Sequence, residues 1–274
     1  MKSHQIDTTH GRLACLDNGA DGPPLLLIHG NSSCKEVFRA QFDSPLLAGF
    51  RLIAPDLPGH GASEDAPDPS AAYTFGGYAA ALAQVIDALD LEKPVVFGWS
   101  LGGHAALELA GGETALSGVM ISGAPPVKPE LGCLMVAFNI DPAAENLTGK
   151  RDFTEEDAQA YALHTAGDGG KVDEHLLAMV RRTDGRAREI MFGSVVAGAP
   201  LDEQAIVAGM SVPLAIVNGA EDPFIRHAYF DTLDYASLWP RGVVSVAGAG
   251  HAPFLQAPEH FNPLLAEFVT GCTA

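Results

Sequence analysis

Six short runs in this 274-residue chain are apolar, or nearly so, at successive positions: Leu25–Ile28, Leu52–Ala54, Val95–Phe97, Val119–Ile121, Leu214–Val217 and Val243–Val246. A strand apolar on both faces has to be covered on both faces, which is the condition of a parallel sheet. Helical spacing fills the intervals. Tyr78, Leu82, Val85, Ile86 and Leu89 form one stripe, Leu101, Ala105 and Leu109 another, and Phe261, Leu264, Leu265 and Phe268 a third. Strand alternating with helix implies right-handed crossovers, so the predicted class is α/β: a mostly parallel sheet with helices on both faces. Gln5–Thr9 and Arg12–Asp17 are predicted to add an antiparallel edge hairpin through His10-Gly11.

One interval breaks the rhythm. From 127 to 208 no buried strand is legible. Thr154-Glu155-Glu156-Asp157 reads as a helix start of capping-box type, with Ala158, Tyr161, Ala162 and Thr165 following on one face. The expected organisation is a core formed by 1–126 and 209–274, with 127–208 as a helical lid inserted between two core strands.

Charge narrows the partners. Sixteen basic against 34 acidic residues leave a net charge of −18, which repels phosphate backbones and anionic lipid. No apolar run approaches the ~20 residues of a membrane span. Met1–Gln5 lacks the charged-then-apolar order of a secretory signal. Cys15, Cys34, Cys133 and Cys272 are scattered, with neither a disulfide framework nor metal-ligand spacing. These features predict a cytoplasmic protein that acts on a small molecule without metal or cofactor; oligomeric state is not legible.

The chemistry is concentrated at Gly98-Trp99-Ser100-Leu101-Gly102, directly after one predicted strand and directly before a helix. A nucleophile on a sharp strand-to-helix turn needs small neighbours, because its backbone is strained and the chain passes closely. Ser100 would then stand at the carboxyl edge of the sheet, at the partially positive end of a helix. A serine hydroxyl needs a base, and the base needs an orienting acid. His251, in Gly248-Ala249-Gly250-His251-Ala252-Pro253, follows the strand at Val243–Val246 and emerges at the same edge. Asp222, just past Leu214–Val217, is the expected acid. Glu221 is its neighbouring competitor, but the residue before Pro223 is held extended. Oxyanion donors are expected from the backbone N–H groups of Leu101 and Asn31, the latter in His29-Gly30-Asn31-Ser32-Ser33. Neither a GxGxxG after the first strand nor a P-loop motif is present, so a nucleotide site is not supported.

With Ser100, Asp222 and His251 in that order, the chain resembles the α/β-hydrolase superfamily, and Ala54-Pro55-Asp56-Leu57-Pro58-Gly59-His60-Gly61-Ala62-Ser63 is similar to its loop after the second core strand. Over nearly its full length it further resembles the α/β-hydrolase-type N-acyl-homoserine lactonases, the metal-free quorum-quenching enzymes. The stretches that carry this are Ile28–Ser33, Val96–His104, Gly123-Ala124-Pro125-Pro126-Val127, Arg182–Arg188 with Ile190-Met191-Phe192, and Ala249–Phe254. In that family a glutamate stands where this chain has Asp222, a change of reach by one methylene. The family also has a lid tyrosine that contacts substrate, and Tyr161 falls at its place. The resemblance implies lactone-ring opening through an acyl-enzyme. The acyl tail is expected under the lid against Trp99, Phe38, Phe192, Phe224 and Phe254. A carboxylesterase with the same three residues, and a receptor that binds without turnover, remain open alternatives.

Overall fold

The computed structural model describes residues 1–274 apart from Pro142 and Ala144. Its centre is an eight-stranded sheet in the order β1-β2-β4-β3-β5-β6-β7-β8. The strands are β1 (Lys2–Thr8), β2 (Gly11–Asp17), β3 (Pro24–Ile28), β4 (Arg51–Pro55), β5 (Val95–Trp99), β6 (Gly118–Ser122), β7 (Leu214–Gly219) and β8 (Leu238–Val246). β1 and β2 form the antiparallel hairpin, β2 pairs antiparallel with β4, and all remaining neighbours are parallel.

Strand residues alternate between two cores, as the pleat requires. Leu26, Ile28 and Val96 face the layer that holds α3 (Phe75–Ala88) and α4 (Leu101–Gly111). Leu25, Leu27 and Phe97 face the layer of the C-terminal helix Pro258–Thr273, through Phe261, Leu265 and Phe268. Two single-turn helices, α1 (Arg39–Phe42) and α2 (Pro69–Ala72), precede α3 in the chain. The two faces are thus closed by separate apolar clusters. β8 differs from its expectation: it begins at Leu238, five residues before Val243, carries a register shift against β7, and is half-exposed along most of its length. It is an edge strand, and its valines needed only one covered face.

Between β6 and β7 lie α5 (Leu131–Ala137), α6 (Glu155–Ala166), α7 (Glu174–Arg182), α8 (Gly185–Val196) and α9 (Glu203–Gly209), with no strand among the described residues. The α6 start closes a capping box: the Asp157 N–H donates to Thr154 Oγ1 at 3.1 Å, and the Thr154 N–H to Asp157 Oδ2 at 2.7 Å. Ala158, Tyr161, Ala162 and Thr165 are all buried, and the first three build a small separate core with Leu177 and Val180 of α7. The last helix of the interval packs on α4, so the expected boundary at 208 falls inside an element of the sheet layer. A buried contact fixes it there: His104 Nδ1 on α4 lies 2.9 Å from Glu203 Oε1, while Glu203 Oε2 accepts from the Val127 N–H at 2.9 Å. The chain closes with α10 (Pro253–Gln256) and α11 (Pro258–Thr273).

Candidate functional site

The parallel strands β5, β6, β7 and β8 end side by side, and each is followed by one part of a cluster. Ser100 follows β5, Gly123 follows β6, Asp222 follows β7 and His251 follows β8. Ser100 has φ +54° and ψ −121°, a left-handed conformation that costs a non-glycine residue about 1–3 kcal/mol. Its neighbours show why they are glycines. A Cβ on Gly98 would lie 2.2 Å from the Gly102 carbonyl oxygen, and one on Gly102 would lie 2.2 Å from that of Ile28. The Ser100 N–H donates to the Ser122 carbonyl at 2.8 Å, tying the turn to the next strand end.

The His251 imidazole and the Asp222 carboxylate meet at 2.8 Å, Nδ1 to Oδ2. Both residues are buried. Asp222 Oδ1 accepts from the Phe224 N–H at 2.9 Å, so both carboxylate oxygens are engaged. Burial pushes the Asp222 carboxyl up, but the facing imidazole and these hydrogen bonds outweigh it and hold the group below its ordinary value. Glu221 is exposed and does not reach the ring. With Nδ1 committed to Asp222, Nε2 is the nitrogen left to exchange a proton. Ser100 Oγ makes no hydrogen bond to His251 among the described residues.

Two residues to which motif reading assigns no role, Gly123 and Asn218, shape the turn that faces His251. His251 comes from β8 and has to pass the end of β6 to approach Ser100. Gly123 opens that path: at φ +63°, it has room for no side chain, since a Cβ would stand 2.6 Å from His251 Cε1. Asn218, fully buried, accepts the Gly123 N–H on Oδ1 at 2.9 Å and fixes the turn. A glycine after an apolar strand and an asparagine at the end of another were the available signals, and neither is specific. Trp99 adds a third tie, its indole N–H donating to the His251 carbonyl at 2.7 Å.

The loop after β3 faces Ser100 closely. A side chain on Gly30 would meet the Trp99 ring at 3.0 Å and Ser100 Cβ at 3.2 Å. Neither the Asn31 N–H nor the Leu101 N–H donates to a protein group among the described residues. His29 braces the loop from behind: Nδ1 donates to the Gly30 carbonyl at 2.7 Å and Nε2 accepts the Leu57 N–H at 3.0 Å. Burial lowers the His29 pKa to about 4, so this neutral tautomer persists at neutral pH. Asp56 receives the Lys35 N–H, the Ala62 N–H and Lys35 Nζ at 2.6–2.7 Å, locking the loops after β3 and β4 together.

The helices between β6 and β7 reach over this loop. The Tyr161 hydroxyl donates to the Asn31 carbonyl at 3.5 Å. Arg188 on α8 is buried and forms no ion pair among the described residues. It donates to the carbonyls of Lys150 and Arg151 and to Ser32 Oγ, and lies 3.8 Å above the Phe153 ring. Of the aromatic residues expected against an acyl tail, Phe224 is half-buried with its ring 4.7 Å from that of His251, and Phe192 is half-buried over Gly149. Phe38 and Phe254 do not fit the expectation. Their centroids lie 5.1 Å apart, packed against Phe97 in the core beneath the sheet, and neither keeps any exposed surface. Trp99 is similarly enclosed, 5.3 Å from Phe254.

No described helix is long and apolar enough to cross a membrane. A sequence model of the alpha/beta hydrolase family matches residues 25–262. Among solved structures, N-acyl homoserine lactonase AidH, as a mutant complexed with N-hexanoyl homoserine lactone, superposes with a TM-score of 0.94 at 40% identity, covering 100% of this chain and 99% of that one. The complex of AidH with N-butanoyl homoserine gives the same TM-score and identity, covering 100% and 98%. A pimeloyl-[acyl-carrier protein] methyl ester esterase of Xylella fastidiosa is 29% identical over 90% of this chain and 95% of its own length. Protein ABHD8 of Mus musculus is 27% identical over 89% of this chain, which spans about half the length of that relative, 54%. The sheet order, the serine on its strained turn and the extent of these matches agree: the chain belongs to the alpha/beta hydrolase family.

Proposed function

We propose that the protein hydrolyses the ester bond of N-acyl-homoserine lactones, with Ser100 as nucleophile, His251 as base and Asp222 as its orienting acid. Ester-bond hydrolysis is the chemistry common to the lactonase and esterase relatives. The observation that carries the lactone reading is the likeness to AidH at 40% identity over the whole chain, lid included.

His251 Nε2 takes the proton of Ser100 as Oγ attacks the lactone carbonyl. The negative charge that develops on the carbonyl oxygen is met by the N–H groups of Leu101 and Asn31, each such donor being worth about 10²–10³ in rate. His251 then passes its proton to the ring oxygen, which leaves as a hydroxyl while the homoserine acyl group stays on Ser100. A water, deprotonated by the same imidazole, releases N-acyl-homoserine and restores the serine. Asp222 stabilises the imidazolium at both stages. The acyl chain would lie beneath the lid, against Tyr161, Phe192 and Phe224.

The second reading is a simple carboxylic ester, favoured by the full-length match to a methyl ester esterase. Turnover of N-hexanoyl homoserine lactone and of p-nitrophenyl hexanoate by the same preparation separates the two. The expected result is a kcat/KM for the lactone above that for the ester. Lactone opening no faster than the buffer blank would remove the first reading and keep the second. Silencing of quorum signals in a reporter culture is the expected biological consequence of the first.

A further inference from the structure

Motif reading finds no metal-ligand spacing in this chain, yet among the described residues folding brings together three candidate ligands. Cys34 and Glu36 lie at the turn after β3, and His175 is the second residue of the lid helix α7, 141 positions beyond Cys34. One ligand atom from each falls within 4.8 Å of the other two. Cys34 Sγ is 3.9 Å from His175 Nε2, and His175 Nε2 is 3.6 Å from Glu36 Oε2. In a tetrahedral zinc site, with Zn–S about 2.3 Å and Zn–N about 2.0 Å, neighbouring ligand atoms are roughly 3.5 Å apart. The two distances to His175 are within a few tenths of an ångström of that spacing, and the third pair is within 4.8 Å.

The surroundings hold these atoms in place. Lys35 Nζ sits 2.9 Å from Glu36 Oε1, leaving Oε2 on the side of the imidazole, and is itself anchored 2.6 Å from Asp56. On the lid side, Asp173 accepts the His175 N–H at 2.9 Å and pairs with Arg39 on α1 at 2.8 Å. Cys34 forms the buried floor, while Glu36 and His175 are partly open to solvent and give a cation its way in.

We propose that Cys34, Glu36 and His175 form a regulatory site for a borderline-soft divalent cation such as zinc, which staples the lid helix α7 to the loop carrying Asn31. A thiolate, an imidazole and one carboxylate select zinc or cobalt over magnesium or calcium, and water completes the fourth position. On binding, the Cys34 S–H bond breaks, its electron pair forms the metal–sulfur bond and its proton goes to buffer. The Lys35 ammonium opposes the incoming charge, and Glu36 and Asp56 offset it, so the ion is taken up reversibly. Asn31 lies three residues before Cys34, so the occupied clamp restrains the candidate oxyanion loop against the lid and slows turnover. That last effect rests on the proposed hydrolase reading; metal binding does not.

Cobalt(II) is the probe, because a bound thiolate gives it a near-ultraviolet charge-transfer band. Wild-type protein is expected to bind one equivalent with that band, and excess zinc to displace it and to inhibit hydrolysis. His175→Ala removes a half-exposed ring outside the candidate catalytic set. It should keep the melting temperature and basal ester turnover, bind cobalt at least about tenfold more weakly, and lose zinc inhibition. Cys34→Ser should abolish the band. Absence of the band in wild type, or an unchanged band and affinity in His175→Ala, would overturn the site. Zinc inhibition that survives His175→Ala would overturn the clamp. A chain that binds cobalt as expected but hydrolyses neither lactone nor ester leaves the site standing and defeats the functional reading instead.

Discussion

Ser100 illustrates how a single residue can carry strain and reactivity together. Its φ of +54° is held by the hydrogen bond to Ser122 and by the close passage of Gly98, Gly102 and Ile28. Removing the hydroxyl leaves all of these intact. Ser100→Ala should therefore melt like the parent while losing on the order of 10⁶ in kcat, as read by calorimetry and lactone turnover on one preparation. A mutant that keeps a tenth of the parent rate would exclude Ser100 as nucleophile. Tyr161→Phe loses only a long hydrogen bond to the Asn31 carbonyl, so a few-fold rise in KM with little change in kcat is expected, and an unchanged pair of constants would make Tyr161 a packing residue. The pairing of Asp222 with His251 and the strained turn at Ser100 were legible in sequence because each belongs to a local turn of distinctive composition. The roles of Gly123 and Asn218 were not: they arise from a side chain arriving from another strand.

At the scale of elements, the turn after β6 lies directly against the His251 ring. Gly123→Ala would place a methyl group 2.6 Å from His251 Cε1 at a positive φ. Displacing a reacting group by about 1 Å can cost ~10² in rate, and that loss in kcat, with the fold retained by circular dichroism, is the expected outcome. Native kcat in Gly123→Ala would mean that the imidazole has slack. The tie between α4 and α9 predicts an effect on stability instead. Glu203→Ala leaves His104 Nδ1 and the Val127 N–H without their buried acceptor, a defect of the kind that costs about 3 kcal/mol, measurable as a lower urea midpoint with an unchanged slope. Elements with a strong local pattern were legible in advance: the hairpin, the five inner strands and the capping box at Thr154. The aromatic placements were not, because a phenylalanine beside a motif is written identically whether it turns toward a ligand or, like Phe38 and Phe254, into the core beneath the sheet.

For the molecule as a whole, the loops behind the site make stability depend on pH. His29 and His60 are fully buried, and burial lowers their pKa values from 6.5 to about 4 and about 3. Because the folded values lie below the unfolded one, the unfolded chain binds more protons at mildly acid pH. The stabilisation is complete above pH 6.5 and is lost as the pH falls through 6.5 toward the folded values, by about 1 kcal/mol per pH unit for each ring. Urea unfolding at pH 7 and pH 5 should therefore show a smaller difference for His60→Asn, by about 2 kcal/mol, than for the parent. Equal pH sensitivity in the two proteins would assign the effect to carboxylates.

The place where α5–α8 leave and rejoin the chain has an evolutionary corollary. β6 and β7 are adjacent in the sheet and hydrogen-bonded in register from Val119–Leu214 to Ile121–Ile216, so both attachment points are set by the strands and not by what is spliced between them. The insert is thereby an exchangeable cassette: on the proposed hydrolase reading, selection can rewrite which acyl tails are accepted without disturbing Ser100, Asp222 and His251 after β5, β7 and β8. A chimera that grafts in the corresponding segment of a relative should inherit the donor's chain-length preference while keeping the recipient's proton chemistry.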